Sequence, residues 1–133
     1  MPDEVSLRVD HDADVVLARQ RGREMAAAAG ISGSDLTVVA TAISEIARNI
    51  IAYGERGKIV LKIATNGRRR GVVVIASDEG PGIPDIEMAM RDGFSTGKSL
   101  GFGLPGARRL MDDFEIVSAP GEGVTVTMTK WSR

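Results

Sequence analysis

Two glycine pairs in the second half of the chain have the spacing that most clearly indicates chemistry. Asp78 precedes the first pair, Gly80-Pro81-Gly82, which is followed by Ile83, and the second pair, Gly101-Phe102-Gly103-Leu104, comes about twenty residues later. Because glycine has no Cβ, such pairs let the backbone come close to a flat base and a polyphosphate. The Asp78 carboxylate can accept a hydrogen bond from an exocyclic amine, which points to adenine. Together these residues predict a nucleotide pocket.

Each glycine pair also has an ordinary explanation when it is considered alone. The first is explained by a strand-ending turn kept tight by Pro81 and Pro84. The second is explained by a simple turn before a helix. The joint occurrence of both pairs, in this order, favours the nucleotide pocket.

An acid and an amide four residues apart form the second chemical feature. Glu45 and Asn49 are neighbours on one face of a predicted helix, nearly opposite an apolar stripe centred on Ile43 and Ala47. An isolated pair of this kind is usually a solvated helix face. In a chain that also carries the two glycine pairs, Asn49 can give a hard oxygen to Mg²⁺ and Glu45 can take a proton or orient a hydroxyl. These are requirements of phosphoryl transfer from ATP.

The loop that ends at Gly101 and Gly103 leads into a predicted helix beginning near Leu104. Free N–H groups and the positive end of the dipole at that helix start favour a polyphosphate. Lys98, in the same loop, is a candidate phosphate contact, with an exposed loop lysine as the alternative. The segment Gly93–Ser99 resembles a P-loop but has three residues between its glycines instead of four and follows a predicted helix, so we reject a P-loop.

Hydrophobic periodicity predicts the elements that position these groups. The predicted strands are 5–9, 58–65, 71–77, 114–119 and 124–130, with a long basic turn, 66–70, between the second and third. The predicted helices run from a cap at Asp12 to Gly30, from a cap at Ser34 or Asp35 to about Ala52, over 85–91, and from Pro105 through Met111. Hairpin-linked strands with interspersed helices favour an α+β fold with a mixed, mostly antiparallel sheet and helices on one face.

The bulk composition limits the possible functions. A length of 133 residues predicts one domain, 1–133, and a net charge of −1 gives no global field for nucleic acid. The absence of cysteine excludes disulfides and cysteine nucleophiles, and no apolar run is long enough for a membrane span, so cytoplasm is the expected location. The only histidine, His11, precedes the first helix, so the second helix has no histidine that this chain could phosphorylate in itself. We therefore expect the phosphoryl acceptor to lie on another molecule.

In order and spacing, these motifs resemble the GHKL ATPase and kinase superfamily, whose nucleotide-binding domain is the two-layer Bergerat fold. Glu45 and Asn49 resemble its N box, Asp78–Gly82 and Gly101–Leu104 its glycine boxes, and Gly121–Thr125 its final strand-entry motif. Within the superfamily, the segments Thr41–Ile50, Asp92–Thr96 and Gly103–Gly106 are similar to the switch kinases of the bacterial stressosome.

This resemblance implies a serine/threonine protein kinase that uses ATP and Mg²⁺ to phosphorylate STAS-domain antagonist and scaffold proteins. After release it would activate a downstream partner such as a metal-dependent phosphatase. The resemblance also implies roles for four residues: Glu45 as general base, Asn49 as the magnesium ligand, Asp78 as acceptor of the adenine amine, and Thr125 as support for adenine through a water. The glycines of both boxes would shape the pocket and its lid.

Two alternative functions remain open from the sequence. One is an anti-sigma factor of the same superfamily, which also phosphorylates a STAS-domain protein but sequesters a sigma subunit. The other is a non-catalytic adaptor in which ATP only controls partner exchange. The loop match and the presence of Glu45 favour the switch kinase.

Overall fold

The computed structural model describes residues 3–53, 56–80, 103–118 and 123–133. Within these ranges the elements run in the order β1 (Glu4–Val9), α1 (Asp12–Ala28), α2 (Ser34–Tyr53), β2 (Gly57–Asn66), β3 (Arg69–Asp78), α3 (Gly103–Leu110), β4 (Asp113–Ser118) and β5 (Val124–Trp131). The predicted helix 85–91 lies outside the described residues. The α+β class is confirmed.

The five described strands form one sheet in the order β1-β2-β3-β5-β4. We predicted a mixed, mostly antiparallel sheet, and each of the four described pairings is antiparallel. The central strand, β3, is therefore flanked by two strands on either side. Its last residue, Asp78, lies opposite the first residue of β5, Val124.

Apolar residues at alternate strand positions bury one face of the sheet, because successive side chains of a strand point to opposite faces. Aligned across the strands, the fully buried members are Ile59, Leu61, Val72, Val74, Ala76, Val126 and Met128. They belong to one hydrophobic core with the buried residues of α1 and α2. We call this the inner face of the sheet.

Helix α2 packs closely against α1 in the hydrophobic core. Ile43, Ile46 and Ala47 are almost completely buried. A Cβ at Gly22 of α1 would overlap the Cδ1 atom of Ile43, so a larger residue at that position would require the end of the Ile43 side chain to move. Helix α2 also packs against β3 and α3, which brings it beside the elements that carry the glycine motifs.

Two local predictions were wrong in detail, the residue that caps α1 and the length of the turn between β2 and β3. Helix α1 is capped by His11 instead of Asp12, with the Asp14 side chain accepting hydrogen bonds from the backbone N–H groups of Asp10 and His11 at 2.9 and 3.0 Å. Helix α2 begins at Ser34, so Asp35 lies inside its first turn and pairs with Arg133.

The turn between β2 and β3 is shorter than the predicted 66–70. Asn66 pairs with Arg69, which leaves only Gly67 and Arg68 between the strands. Gly67 has φ +63°, as the first central position of a two-residue type II′ turn requires. Arg69 and Arg70, which made the segment look like a loop, belong to β3, and only the third arginine, Arg68, lies in the turn.

Candidate nucleotide site

The end of β3 and the start of β5 form a hydrogen-bonded corner around Asp78. The Oδ1 atom of Asp78 accepts the backbone N–H of Gly80 at 2.8 Å, and the backbone N–H of Val124 also donates to this carboxylate. An ionised carboxylate has about four lone-pair positions. Two backbone donors therefore fix its orientation and still leave it able to accept a hydrogen bond from a ligand.

Burial raises the pKa of Asp78 above its ordinary value of 3.8, against the lowering effect of the hydrogen bonds from Gly80 and Val124. The carboxylate is therefore partly removed from water and held by backbone groups. In such surroundings a hydrogen bond to an added donor is stronger than it would be in bulk solvent. This is the chemistry expected of an acceptor for an exocyclic amine.

Gly123 closes the same corner and was not among the predicted site residues. Its φ is +74°, and a Cβ at this position would overlap the carbonyl oxygen of Asp78. The Ser118 hydroxyl donates to the Gly123 carbonyl at 2.8 Å, which joins the end of β4 to the residue that precedes β5. Only glycine fits here, so the Gly-x-Gly pattern before the last strand was the signal that could have identified Gly123.

The structure does not bring Thr125 to this corner, contrary to its predicted role near adenine. Thr125 pairs with Ser77 and is exposed, on the sheet face opposite to that of Asp78. Val124, one residue earlier, lies opposite Asp78 and is buried. Because side chains alternate along a strand, a one-residue difference in register moves the side chain to the other face.

Glu45 and Asn49 lie at the border of the buried surface of α2, and both are half-buried. The buried surface is wider than the predicted stripe because it includes Ala42 and Ile46, on the side where Glu45 and Asn49 lie. The pair is consequently not on the fully solvated side of the helix, where Arg48 is exposed. Arg48 approaches Glu45 with Nη1 to Oε1 at 3.9 Å, and 31% of the Glu45 side chain is exposed.

The second glycine box is described only from its third residue. Gly103 and Leu104 lie in the first turn of α3, as predicted for the helix that follows the loop. Five other predicted site residues lie outside the described residues: Gly82, Ile83, Lys98, Gly101 and Phe102. Their roles stay predictions.

No group of three or more histidine, cysteine, aspartate or glutamate side chains in the described ranges could hold a metal ion. Among the described helices, none combines the length and apolar character that crossing a membrane requires.

Two solved structures of histidine kinases share the fold of this chain. A mycobacterial sensor histidine kinase, MprB, aligns over 97% of this chain and 99% of its own with a TM-score of 0.60 and 15% identity. The catalytic domain of histidine kinase ThkA aligns over 95% of each chain with a TM-score of 0.52 and 20% identity. The family model for the histidine kinase-like ATPase domain matches residues 9–130. The chain belongs to this family.

Sequence relatives narrow the class further. The chain is 45% identical to serine/threonine-protein kinase RsbT of Bacillus subtilis (strain 168) over 133 residues, which is the full length of both. It is 37% identical to the anti-sigma F factor of Thermoanaerobacter sp. (strain X514) over 103 residues, covering 73% of this chain and 71% of the relative. The predicted resemblance to the GHKL superfamily and its switch kinases is confirmed.

Proposed function

We propose that this protein is an ATP-dependent serine/threonine kinase that phosphorylates STAS-domain antagonist and scaffold proteins in the cytoplasm of a stress-responding bacterium. After release it activates a downstream partner such as a metal-dependent phosphatase. The observation that carries this proposal is the 45% identity to a serine/threonine-protein kinase along the whole length of both chains. The corner around Asp78 and the half-buried pair on α2 supply groups that this activity needs.

In the proposed reaction, Asp78 binds the adenine end of ATP. Its carboxylate accepts the exocyclic amine while the N–H groups of Gly80 and Val124 hold it in place. Because Asp78 is the last residue of the central described strand, its position is set by the pairing of that strand with its neighbours. The predicted phosphate contacts come from the second glycine box and the start of α3.

Glu45 acts at the other end of the nucleotide. A partner hydroxyl attacks the γ-phosphorus, the bond from that phosphorus to the ADP oxygen breaks, and the Glu45 carboxylate takes the hydroxyl proton. The position of Glu45 supports this role, because a half-buried acid at the edge of the core is held by its helix while remaining reachable by a partner. Arg48, 3.9 Å from Glu45, is a weak and exposed partner that need not block proton transfer.

Asn49 would hold Mg²⁺ through its side-chain oxygen. Magnesium in nucleotide sites commonly takes one or two protein ligands and fills its octahedron with phosphate oxygens and water. One amide oxygen at the border of the core fits that arrangement. The bound ion would neutralise charge on the transferred phosphoryl group.

The proposal is tested by mixing the protein with a purified STAS-domain protein, radiolabelled ATP and Mg²⁺. We expect label on a serine or threonine of the STAS-domain protein and loss of transfer when Mg²⁺ is chelated. A STAS-domain protein that binds but gains no phosphate would contradict the kinase assignment. A matched reaction without this chain controls for phosphate from other sources.

An anti-sigma factor kinase is the second candidate. The observation that favours it is the identity to anti-sigma F factors over about three quarters of the chain. Affinity purification from cells distinguishes the two functions. Recovery of a sigma subunit, and not of a phosphatase or another effector, would favour the anti-sigma function.

A further inference from the structure

Among the described residues, Lys130 is the one charged side chain that is buried, and none of the proposed binding or catalytic roles uses it. It lies on β5 opposite Val72, on the inner face of the sheet, and only 7% of its side chain is exposed. A charged side chain loses its water when it is buried, so it is rarely found inside a protein unless it is paired. The partners of Lys130 therefore indicate its role.

The first partner is the end of α3. The Lys130 ammonium group donates a hydrogen bond to the carbonyl oxygen of Leu110, the last residue of that helix, at 3.2 Å. The last carbonyl groups of a helix have no partner within the helix, and a positive charge beside them is favourable. Lys130 thus attaches the carboxyl end of α3 to β5.

The second partner is Asp112, in the segment that connects α3 to β4. The Oδ1 atom of Asp112 lies 3.6 Å from the Nζ atom of Lys130, and its Oδ2 atom accepts the backbone N–H of Trp131 at 2.8 Å. The backbone N–H of Asp112 donates to the carbonyl oxygen of Thr129 at 2.9 Å. The residues before and after Lys130 on β5 therefore hold the carboxylate beside the ammonium group.

Arg133 extends these contacts to α2. Its guanidinium group lies 3.3 Å from the Oδ1 atom of Asp112 and 3.2 Å from the Oδ2 atom of Asp35, in the first turn of α2. Charged side chains thus connect the start of α2, the end of α3 and the end of β5. The two helices joined in this way carry Glu45 and Asn49 on α2 and the end of the second glycine box on α3.

The short helix α3 depends on such contacts for its position. Gly103 is the first of its eight residues and Leu110 is the last, so the two are roughly 10 Å apart along the helix axis. A helix of this length has little stability of its own and is held by what it packs against. The buried apolar residues Ala107 and Met111 contribute to that packing. Apolar contacts have no preferred direction, whereas a hydrogen bond to the Leu110 carbonyl fixes the helix along its axis.

We propose that Lys130 is a positioning residue for the second glycine box. By holding the Leu110 carbonyl it sets the position of the first turn of α3, where the phosphates of ATP bind in the proposed function. The inference rests on that proposed function. Because Lys130 acts from the other end of the helix, it does not touch the nucleotide.

The adenine corner around Asp78 is built without α3, since its hydrogen bonds come from Gly80 and Val124. Loss of the Lys130 ammonium group should therefore weaken binding of the phosphates and leave binding of the base unchanged. Adenosine carries the base without phosphates, so it reports on the corner alone. A lysine that only stabilised the fold would not change the ratio of the ATP and adenosine affinities.

The test measures both dissociation constants by NMR titration in the presence of Mg²⁺. Lys130→Met keeps an unbranched apolar side chain and removes the ammonium group. We expect it to weaken ATP binding about 3- to 30-fold and adenosine binding less than about twofold, as for residues that act on a site through packed elements. Lys58→Met is the matched control, because it makes the same substitution at an exposed lysine of β2, and it should change neither affinity.

Circular dichroism checks that each variant is folded. If Lys130→Met does not fold, combining it with Asp112→Asn removes both charges of the pair and keeps an oxygen for the Trp131 N–H. This double variant should show the same selective loss of ATP affinity.

The ratio of the two affinities separates failure of this inference from failure of the proposed function. If the wild type prefers ATP to adenosine and the Lys130 variants keep that ratio, the inference is overturned and the proposed function stands. An equal loss of ATP affinity in Lys58→Met would also overturn it. If the wild type binds ATP no more tightly than adenosine, α3 has no phosphate site to position, and the inference and the proposed function both fail.

Discussion

At the scale of single residues, Asp78 has the best-defined environment of the proposed site residues. Its carboxylate holds two backbone N–H groups and is partly desolvated. Asn at this position would keep the oxygen that accepts from Gly80 but turn an NH₂ group toward the adenine amine. We expect Asp78→Asn to weaken ATP binding about 10- to 100-fold, the effect of losing a hydrogen bond to a charged group, measured by titration calorimetry.

The raised pKa of Asp78 gives this prediction a pH dependence. The ionised carboxylate costs folding free energy above its raised pKa, and that cost disappears as the pH falls through this pKa toward 3.8. Asp78→Asn should therefore not lower the unfolding midpoint at neutral pH, and its ATP affinity should vary less with pH than that of the wild type. Glu79→Gln, the exposed neighbour, is the control and should bind ATP normally. Equal affinities of Asp78→Asn and wild type would remove Asp78 from the site.

From the sequence it was easier to choose candidate site residues than to predict on which face of the sheet their side chains lie. Asp78 was identified because the carboxylate and its glycine pair occur in one chain with the second glycine pair, in that order. The sequence did not show on which face of the sheet Thr125 lies, because that depends on the pairing register of β3 and β5. In the observed register Asp78 pairs with Val124, so the Thr125 side chain lies on the opposite face. Gly123 was passed over because its conflict with the Asp78 carbonyl exists only when β3 and β5 are adjacent.

At the scale of elements, Gly123 at the entry to β5 controls the position of the end of β3. Gly123→Ala would place a methyl group against the Asp78 carbonyl in a backbone conformation that alanine rarely adopts. We expect it to lower the unfolding free energy by about 1–3 kcal/mol and to weaken ATP binding as well, measured by urea denaturation and calorimetry. Gly106→Ala is the control, because a Cβ at Gly106 in α3 has open space. Wild-type stability and affinity in Gly123→Ala would show that the corner adapts.

The start of α1 makes a separate prediction about pH. Hydrogen bonds from the backbone of Asp10 and His11 lower the pKa of Asp14 below 3.8. A lowered folded pKa contributes stability that is present above 3.8 and is lost as the pH falls through the folded pKa. Asp14→Asn should therefore lower the thermal midpoint at pH 7, and the difference from wild type should shrink below pH 3.8. A difference that grows in acid would contradict the capping role, and Asp12→Asn in the same turn should have a smaller effect.

Most elements were predicted within a few residues because their hydrophobic periods are clear. Two boundaries were predicted incorrectly. The start of α1 is set by hydrogen bonding around His11, and the turn between β2 and β3 is short because Gly67 adopts a positive φ. For α2 the predicted stripe was too narrow because both α1 and α3 pack against it. Contacts from two sides cannot be deduced from the period of one helix.

At the scale of the whole molecule, order along the chain predicted the fold class. Hairpins and interspersed helices indicated a mixed, mostly antiparallel sheet, and the order of the described strands adds that β5 lies between β3 and β4. That insertion places the final strand beside Asp78, which joins distant segments into one site. The fold also places the nucleotide corner on the inner face of the sheet, on the side of the helices.

The most direct test of the central claim compares ATP binding with phosphoryl transfer in Glu45→Ala. Transfer to a STAS-domain protein should fall about 10²- to 10⁴-fold, the usual contribution of a general base, while ATP affinity changes little. Arg48→Ala, which removes the neighbour at 3.9 Å and keeps the acid, should still transfer phosphate. If Glu45→Ala transfers phosphate at the wild-type rate, the kinase account is wrong. It is also wrong if neither the wild type nor Glu45→Ala transfers phosphate while binding and release of the partner still depend on ATP.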